Sequence, residues 1–411
     1  MSNKSILFIT VTFPPRLSVA SLRLYNYAQL FKKNNWNVYV ITCNQKNQTE
    51  SKEFKLDNLK ITYVEWDDPY NKISKIKPKI LRKICFKALN IFIPYLSTWL
   101  PDNRFNSWKQ NSEPIINDLI KKESIKYIYS SFSPPTPHLL AKKIKAQNPS
   151  VKWIAEYRDM WSFSPTLSIL KKQFKHLHFK LEKKVVNNAD LLITVSFGHK
   201  EILKKHLSKK IIVLYNGCDF DSYHKLDANV TGFKIVYTGN YYRKNNDLKC
   251  FFEAFKFFTD QNKSLKKQIR LTFVGTPKSA YLSRLIKKYS IDEFVEFKAK
   301  VENVEVKKIQ RSSSVLLHFA WKDKNHMGNL TGKIFEYISA RKPILSIGHE
   351  PELNQIILKH GGLMSENISQ IVSFLNQQLN NPSCLSKITN ENSEISKLNQ
   401  FKNLESEILN M

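Results

Sequence analysis

The chain has 411 residues, a length that allows two α/β domains, each with its own core. Hydrophobic residues account for 42% of the sequence and aromatic residues for 12%, which argues against a globally disordered protein. Lys and Arg number 65 against 35 Asp and Glu, a formal net charge of +30. Such a charge favours nucleic acid, acidic lipid or phosphorylated substrates without choosing among them.

The five cysteines are far apart, odd in number and without C-x-x-C or zinc-ligand spacing: Cys43, Cys85, Cys218, Cys250 and Cys384. This pattern predicts free thiols in a reducing cytosol. The first residues lead directly into an apolar strand, without a signal-peptide pattern. No apolar run reaches the ~20 residues of a membrane span, so we expect no transmembrane helix.

The N-terminal stretch predicts a strand, a loop, a helix and a second strand. The strands are Ile6–Val11 and Val38–Thr42, and the helix covers 18–31. This order is typical of a Rossmann half, but G-x-G-x-x-G is absent. Arg16 in the loop and Arg23 in the helix are candidates for contact with a phosphate; solvated surface arginines are at least as good an interpretation.

Residues 72–108 combine cations with a long apolar and aromatic stretch. Seven cations precede and interleave Ile84–Leu100: Lys72, Lys75, Lys77, Lys79, Arg82, Lys83 and Lys87. Pro94 argues against one long helix. Basic residues beside Trp, Tyr and Phe favour a membrane-facing excursion on an anionic bilayer. The alternative is a helical excursion packed on the N-terminal domain, with solvated lysines.

Two polar clusters follow predicted strands. The strand 125–130 leads into a Ser/Pro-rich turn that ends at His138, and Trp153–Tyr157 leads into Arg158-Asp159-Met160-Trp161. The carboxyl ends of parallel strands are the ligand side of an open α/β sheet, so both clusters are candidate site residues. A structural Arg–Asp ion pair is the competing interpretation.

Further elements complete two domains. We predict a helix over 181–189, and a strand over 190–196 that precedes a helix over 198–206. A strand over 211–214 comes before the turn at Asn216-Gly217. A second set begins with the strand 234–239, and its later elements are the helix 248–258 and the strands 271–275, 294–297 and 315–320. The region from Ser365 is predicted to be helical.

The stretch 328–347 predicts a polar loop, a helix and a buried strand. Lys333 lies in the first helical turn and Glu336 one turn further along. Free N–H groups at Thr331 and Gly332 suit a phosphate, and a cation at a helix N-terminus is unfavourable unless an anion is near. Glu336 is placed to accept from ribose hydroxyls. An ordinary βαβ crossover with a solvated Lys and Glu is the alternative.

The sequence G-K-I-F-E-Y-I-S-A-R-K-P at 332–343 resembles the helix that grips the nucleotide sugar in retaining GT-B glycosyltransferases of bacterial surface-polysaccharide synthesis. Two other runs resemble the same family. Y-R-D-M-W at 157–161 is similar to its R-D-x-W element. The ordered pair A-D-x-x-I-x-V-S and K-I-I-V-L-Y-N-G-x-D at 189–219 is similar to the run that closes its first domain.

The resemblance implies two Rossmann-like parallel-sheet domains facing a cleft. Residues 1–215 would form the acceptor side and 216–385 the nucleotide-sugar side, with 386–411 a candidate helix crossing back. In many relatives a further Glu contacts the sugar, but its place here is taken by Gly328.

Site roles also follow from the resemblance. Donor-binding residues would be Arg243, Lys244, Thr331, Gly332, Lys333 and Glu336. Asp159 and Arg158 would be catalytic, with Asp159 orienting or deprotonating the acceptor, and Arg16, His138 and Trp161 would lie on the acceptor side. No D-x-D motif stands out for a metal, so we expect no metal and no cofactor, the nucleotide sugar being a substrate. Front-face attack assisted by the leaving phosphate is the implied route to retention.

The sequence therefore predicts a glycosyltransferase that moves a sugar from a nucleotide sugar to a glycan or lipid-linked saccharide in cell-surface polysaccharide synthesis. We expect it in the cytoplasm, peripheral on the inner face of the cell membrane. One alternative is a catalytically inactive GT-B scaffold subunit of a membrane polysaccharide complex. Another is a nucleic-acid-binding protein, which would account for the charge but not for polar clusters at successive strand ends. We therefore expect no nucleic-acid partner.

Overall fold

The computed structural model describes residues 4–16, 18–44, 54–67, 73, 75–88, 103–164, 175–224, 231–241, 248–321, 328–381 and 394–411. They form two compact units, one of Met1–Tyr215 with Phe401–Met411 and one of Asn216–Gln400. Each unit is built on a single parallel sheet whose strands alternate with helices. The prediction of two Rossmann-like parallel-sheet domains is confirmed.

The first unit contains a seven-stranded parallel sheet in the order β3-β2-β1-β4-β5-β6-β7. Its strands are β1 (Ser5–Ile9), β2 (Asn37–Cys43), β3 (Lys60–Val64), β4 (Tyr127–Phe132), β5 (Lys152–Tyr157), β6 (Leu191–Thr194) and β7 (Ile211–Val213). Its helices are α1 (Val19–Lys33), α2 (Asn106–Glu123), α3 (Thr136–Gln147), α4 (Lys175–Val186) and α5 (Phe197–Lys204), with a 3₁₀ turn at Asn103–Phe105. Residues 79–88 are also helical.

Both faces of this sheet are buried, as expected for a parallel sheet between helices. Leu7 and Ile9 of β1 belong to one core cluster, whereas Ile6 and Phe8 belong to the cluster on the opposite face. Successive side chains of a strand point to opposite faces, so an unbroken apolar run fills both cores. Polar residues are thereby left to the strand ends, where the candidate site residues occur.

The second unit contains a six-stranded parallel sheet in the order β10-β9-β8-β11-β12-β13. Its strands are β8 (Phe233–Thr238), β9 (Ile269–Val274), β10 (Val295–Lys298), β11 (Val315–Phe319), β12 (Ile344–Ile347) and β13 (Leu363–Met364). Its helices are α6 (Phe220–His224), α7 (Lys249–Gln261), α8 (Ala280–Lys288), α9 (Asn303–Arg311), α10 (Gly332–Ser339), α11 (Pro351–Lys359) and α12 (Ile368–Asn380). Short 3₁₀ turns cover Lys263–Leu265 and Asp292–Phe294. The last helix, α13 (Lys397–Leu409), begins in the second unit, and from Phe401 onward it belongs to the first.

Several elements differ from the sequence-based predictions. The strands β3 and β13 and the helices α2, α6, α8, α9 and α11 were not predicted. The strand predicted over 190–196 ends at Thr194, because Ser196 instead caps α5 by accepting from the His199 N–H at 3.1 Å. The helix predicted over 181–189 covers Lys175–Val186.

The described cysteines Cys43, Cys85, Cys218 and Cys250 are thiols outside any disulfide, as predicted. Within the described ranges, no helix is both long enough and apolar enough to cross a membrane. In the basic segment 72–108, Phe105 and Trp108 are buried in the core of the first unit, so they are not available to a bilayer. Three of its six aromatic residues, Phe92, Tyr95 and Trp99, lie between 89 and 102, outside the described residues.

Candidate active site

The second unit brings Lys333 against the end of strand β8. β8 and β11 are neighbouring parallel strands, and α10, which carries Lys333, follows β11 in the chain. The Lys333 Nζ donates to the hydroxyl of Tyr237 at 2.9 Å and lies 3.5 Å from the Asn240 carbonyl oxygen. It also lies 4.3 Å from the centre of the Tyr237 ring. The cation therefore rests on a phenol and a backbone carbonyl.

The tyrosine hydroxyl is oriented to receive this cation. Tyr237 donates its only hydroxyl proton to the Asn240 carbonyl at 2.8 Å, so its lone pairs face Lys333. In the described part of the chain, no carboxylate pairs with Lys333. Desolvation lowers the pKa of Lys333 to about 8, and the charge of Glu336 only partly opposes this. An anion placed there would restore the charge that burial disfavours.

Gly239 leaves the space that Lys333 occupies. Its φ of +96° is in the left-handed region, and a Cβ there would lie 2.9 Å from the Cε of Lys333. The Thr276 hydroxyl donates to the Gly239 carbonyl at 2.5 Å and fixes the turn. The Thr-Gly-Asn turn after β8 is thus shaped around the lysine.

Glu336 lies one turn further along α10 and is an exposed residue of this helix. Among the described residues, one hydrogen-bond donor reaches it, the Gln310 amide at 3.4 Å. Partial desolvation raises the pKa of its carboxyl, while Gln310 and nearby lysines act in the opposite direction. An exposed carboxylate oriented from one side can accept hydrogen bonds from a ligand hydroxyl.

The N-terminus of α10 is held by a buried histidine. His318 in β11 contacts Ser346 Oγ through Nδ1 at 2.9 Å and Thr331 Oγ1 through Nε2 at 3.1 Å. Burial lowers its pKa to about 3, so the ring is neutral at physiological pH. Thr331 is the N-cap residue, but its side chain makes no capping hydrogen bond to the helix. The first N–H groups of α10 are therefore not capped by Thr331, which leaves them suited to an anion.

Gly328 lies where the resemblance would place the sugar-contacting glutamate. Its φ is +82°, and its N–H donates to Glu350 Oε1 at 3.0 Å. The other oxygen of Glu350 accepts from the N–H of Leu353, where Glu350 caps α11. Glu350 thus accepts hydrogen bonds from both the loop at Gly328 and the first turn of α11.

In the first unit, Arg158 and Asp159 directly follow β5. The Arg158 Nη2 donates to the Ser133 carbonyl at 2.6 Å, and its Nη1 lies 3.3 Å from Asp159 Oδ2. The Asp159 side chain is 58% exposed. Desolvation lowers the pKa of Arg158, and the charges of Arg23 and Arg16 lower it further, whereas Asp159 opposes the shift. Arg158 and Asp159 lie at the carboxyl end of β5, as predicted, and Arg158 contacts Ser133 at the end of β4.

Two predicted acceptor-side residues are buried. His138 is fully buried, and its Nδ1 lies 2.7 Å from Ser130 Oγ, which also accepts from the Trp153 indole. Trp161 is 5% exposed and stacks on Phe132 at 5.5 Å. In this structure both side chains support the strand ends from within the core. Arg16 is half-buried in the loop after β1.

Several supporting residues were missed by the sequence analysis. Arg23, attributed there to a possible phosphate contact or the surface, forms a buried ion pair with Glu156 at 2.8 Å and binds the carbonyls of Leu214 and Tyr215. Glu182 accepts from the Ser162 N–H at 3.0 Å behind the Arg-Asp loop, and burial raises its pKa to about 7. For His318, the sequence gives one signal of a structural role: a histidine interrupts the otherwise apolar run of β11.

Other predicted sites are not placed here. Arg243 and Lys244 lie outside the described residues. Among the residues that are described, no group of three or more His, Cys, Asp or Glu side chains is arranged to hold a metal ion.

No protein-family model matches the chain, and no curated protein matches it in sequence. Solved structures match it over nearly its whole length. Sucrose-phosphate synthase from Thermosynechococcus elongatus has a TM-score of 0.63 at 13% identity, with 99% of each chain covered. WaaG, a glycosyltransferase involved in lipopolysaccharide biosynthesis, has a TM-score of 0.57 at 12% identity, with 98% of each chain covered.

The chain has the GT-B fold. At these identities, likeness establishes the fold and nothing finer. A UDP-N-acetylglucosamine 2-epimerase from Methanocaldococcus jannaschii also matches, with a TM-score of 0.52 at 10% identity and coverage of 99% of this chain and 100% of that one. Because transferases and an epimerase share the architecture, the reaction must be argued from the site itself.

Proposed function

We propose that the protein is a glycosyltransferase that uses a nucleoside diphosphate sugar as donor. The observation that carries the proposal is Lys333, a partly desolvated cation with no carboxylate partner among the described residues, at the end of β8. Glu336 one turn away supplies an exposed acceptor for ribose hydroxyls. A diphosphate beside Lys333 and a ribose beside Glu336 would match these two groups in charge and hydrogen bonding.

Transfer breaks the bond between the anomeric carbon and a phosphate oxygen, and forms a bond from that carbon to an acceptor oxygen. Negative charge grows on the departing diphosphate, and Lys333 together with the N–H groups at Thr331 and Gly332 would stabilise it. In the front-face route, the acceptor proton passes to the leaving phosphate oxygen. The resemblance of residues 332–343 to retaining enzymes supports this stereochemistry. Arg243 and Lys244 are proposed as further diphosphate contacts.

Asp159 is the proposed acceptor-side carboxylate. It is exposed, and its partner Arg158 is anchored to the Ser133 carbonyl, so the pair has a defined orientation. A carboxylate there would orient the acceptor hydroxyl, or would take its proton in place of the leaving phosphate. Arg16 is proposed to contact the same acceptor, with His138 and Trp161 as core supports.

The acceptor is proposed to be a glycan or lipid-linked saccharide in cell-surface polysaccharide synthesis, met at the cytoplasmic face of the membrane. The helical residues 79–88 support membrane contact, because Ile80, Leu81 and Ile84 are 75%, 49% and 57% exposed beside Lys79, Arg82, Lys83 and Lys87. Each cation near an anionic bilayer contributes about 1 kcal/mol, screened by salt. Buried apolar side chains would add to this attraction.

The enzymatic proposal is tested by incubating the purified chain with a panel of nucleotide sugars and measuring released nucleoside diphosphate, with and without saccharide acceptors. Release that depends on Lys333 supports the transferase. Nucleotide-sugar binding without turnover for any donor would favour the inactive scaffold subunit instead. Salt-sensitive oligonucleotide binding with no nucleotide-sugar binding would favour the nucleic-acid alternative.

Membrane contact is tested separately by co-sedimentation with phosphatidylglycerol vesicles. Binding should fall with salt, and fall further when Lys79, Arg82, Lys83 and Lys87 are changed to Gln. A matched control changes four exposed lysines of the second unit to Gln: Lys263, Lys267, Lys287 and Lys288. Equal loss in both variants, or a wild type that stays in the supernatant at low salt, would contradict the specific role of residues 79–88.

A further inference from the structure

Gln310 is a fully buried amide at the centre of four elements of the second unit. It lies near the end of α9 and is 0% exposed. Its Oε1 accepts from the Tyr223 hydroxyl of α6 at 2.5 Å. Its Nε2 donates to Thr238 Oγ1 of β8 at 3.1 Å and to Glu336 Oε2 of α10 at 3.4 Å.

The orientation of this amide follows from its neighbours. The carboxylate of Glu336 can only accept hydrogen bonds when ionised, so it requires the NH₂ end of Gln310. The Tyr223 hydroxyl can donate to the remaining oxygen. The reversed amide would place its oxygen against a carboxylate oxygen, which is repulsive. The side chain is therefore fixed with its donor toward Glu336.

Nearby lysines compete with Gln310 for the carboxylate of Glu336. Lys397, Lys333 and Lys307 all act electrostatically on its carboxyl. An exposed carboxylate on an unrestrained side chain would turn toward whichever cation was nearest. The neutral amide of Gln310 holds it without neutralising its charge, and the amide is itself held through Tyr223 and Thr238.

We propose that Gln310 is a positioning residue that aims the Glu336 carboxylate at the ribose hydroxyls of a nucleotide donor; the inference rests on the proposed function. Outer hydrogen-bond partners of this kind fix the geometry of a ligand-binding group without touching the ligand. Gln310 therefore affects recognition of the ribose specifically. Binding of the diphosphate at Lys333 is left largely unchanged.

The test uses the full chain and two probes. One is whichever of ADP, CDP, GDP and UDP binds the wild type most tightly by calorimetry, and the other is its 2′,3′-dideoxy counterpart. The ratio of their dissociation constants reports recognition of the ribose hydroxyls. We expect this ratio to be about ten- to a hundred-fold in the wild type, since it reflects a hydrogen bond to a charged group. In Gln310→Leu the ratio should fall by about ten-fold.

A second variant gives a signature that a merely structural role would not produce. In Gln310→Glu the introduced carboxyl is close to isosteric with the amide. When ionised, at pH 8, it repels Glu336, and the ratio should fall as in Gln310→Leu. When protonated, at pH 5.5, its O–H replaces the amide donor, and the ratio should return toward the wild-type value measured at that pH. This comparison within one protein also covers the case in which Gln310→Leu fails to fold.

Gln378→Glu is the matched control, because it places a carboxyl at another buried glutamine of the same unit, on α12. Its ratio should stay at the wild-type value at both pH values.

A folded Gln310→Leu with an undiminished ratio, or a Gln310→Glu ratio that does not change with pH relative to wild type, would overturn the inference. If the wild type binds the nucleoside diphosphate and its 2′,3′-dideoxy counterpart equally well, the role of Gln310 in ribose recognition is overturned, whereas diphosphate binding still stands. Wild type that binds none of the four diphosphates would instead overturn the proposed function.

Discussion

In the second unit, Lys333 and Glu336 rest on the polar side chains of Tyr237 and Gln310, each of which is held by a further hydrogen bond. In the first unit, Arg158 and Asp159 pair with each other beside one backbone carbonyl. Both sets follow the carboxyl ends of parallel strands. Only the set in the second unit has its charged groups placed individually by buried partners.

The first unit uses its buried polar groups for a different purpose. Arg23, Glu156 and Ser131 form a hydrogen-bonded group that ties α1 to β5, β4 and the chain beyond β7. Buried charges thus hold the sheet together in one unit and position surface charges in the other. Under the proposed function, the donor side is preorganised. The acceptor side instead has a stable core beneath exposed functional groups that the ligand helps to orient.

The largest expected effect is on the stability of the first unit. Arg23→Met removes one partner of a buried ion pair and leaves Glu156 without its cation, which should lower the free energy of unfolding by about 3–5 kcal/mol. Urea unfolding measures it. Lys143→Met, which breaks the exposed pair with Glu113, is the control and should cost less than about 1 kcal/mol. Equal losses would contradict the structural role assigned to Arg23.

This stability should depend on pH with a defined sign. The pKa of Glu156 is lowered in the folded state, mainly by the Arg23 charge and hydrogen bonds acting against desolvation. Its contribution is therefore present above the unfolded pKa of a glutamate and is lost as pH falls through the lower folded value. The difference between wild type and Arg23→Met should narrow on acidification through that window.

The next largest expected effect is a loss of turnover when Lys333 is replaced. Lys333→Ala removes a cation that the proposal places beside the departing diphosphate, so turnover should fall by about 10²–10³-fold. Binding of the free nucleoside, which has no phosphate, should change little. Lys287→Ala, at an exposed lysine of the same unit, is the control. Wild-type turnover in a folded Lys333→Ala protein would remove the donor role of this lysine.

A smaller effect is expected at the ribose. Glu336→Ala removes a charge-assisted acceptor worth about 1.5–3 kcal/mol, so nucleoside diphosphates should bind about ten- to a hundred-fold more weakly. Calorimetry measures the dissociation constant. Glu305→Ala, at an exposed glutamate on α9, should bind like wild type. An unchanged constant in Glu336→Ala would contradict the ribose assignment.

Much of the architecture was predictable because it follows from local chemistry. The apolar runs of β1, β5 and β11 and the turns after them are contiguous in sequence, so the parallel sheets and the strand-end location of Arg158 and Lys333 could be inferred. The strand β3, with exposed or half-buried residues at four of its five positions, gave no such run. Its place at the sheet edge explains the weak signal.

The supports of the candidate site could not be predicted for a different reason. Tyr237 and Lys333 are 96 positions apart, and Gln310 joins Tyr223, Thr238 and Glu336 across as many as 87 positions. No spacing rule relates such residues, since the sheet topology alone brings them together. His138 and Trp161 show the converse, because their polar or aromatic chemistry suggested a surface role although the core buries them.

The smallest expected effect tests whether the donor side is preorganised as the comparison suggests. Tyr237→Phe keeps the ring beneath Lys333 and removes the hydroxyl that accepts from its Nζ, an interaction worth about 0.5–1.5 kcal/mol. Diphosphate binding should weaken by about two- to ten-fold. Tyr289→Phe, at a half-buried tyrosine of the same unit, is the control.

The pH profile gives the more specific signature. Lys333 is charged below its pKa of about 8, so diphosphate affinity in the wild type should fall as pH rises through that value. Loss of the Tyr237 hydroxyl removes an acceptor that favours the charged form, so the fall should begin at lower pH in Tyr237→Phe. Lys333→Met should show no such transition. If Tyr237→Phe and wild type lose affinity at the same pH, the tyrosine does not support the cation, and the donor side is then no more preorganised than the Arg158–Asp159 pair.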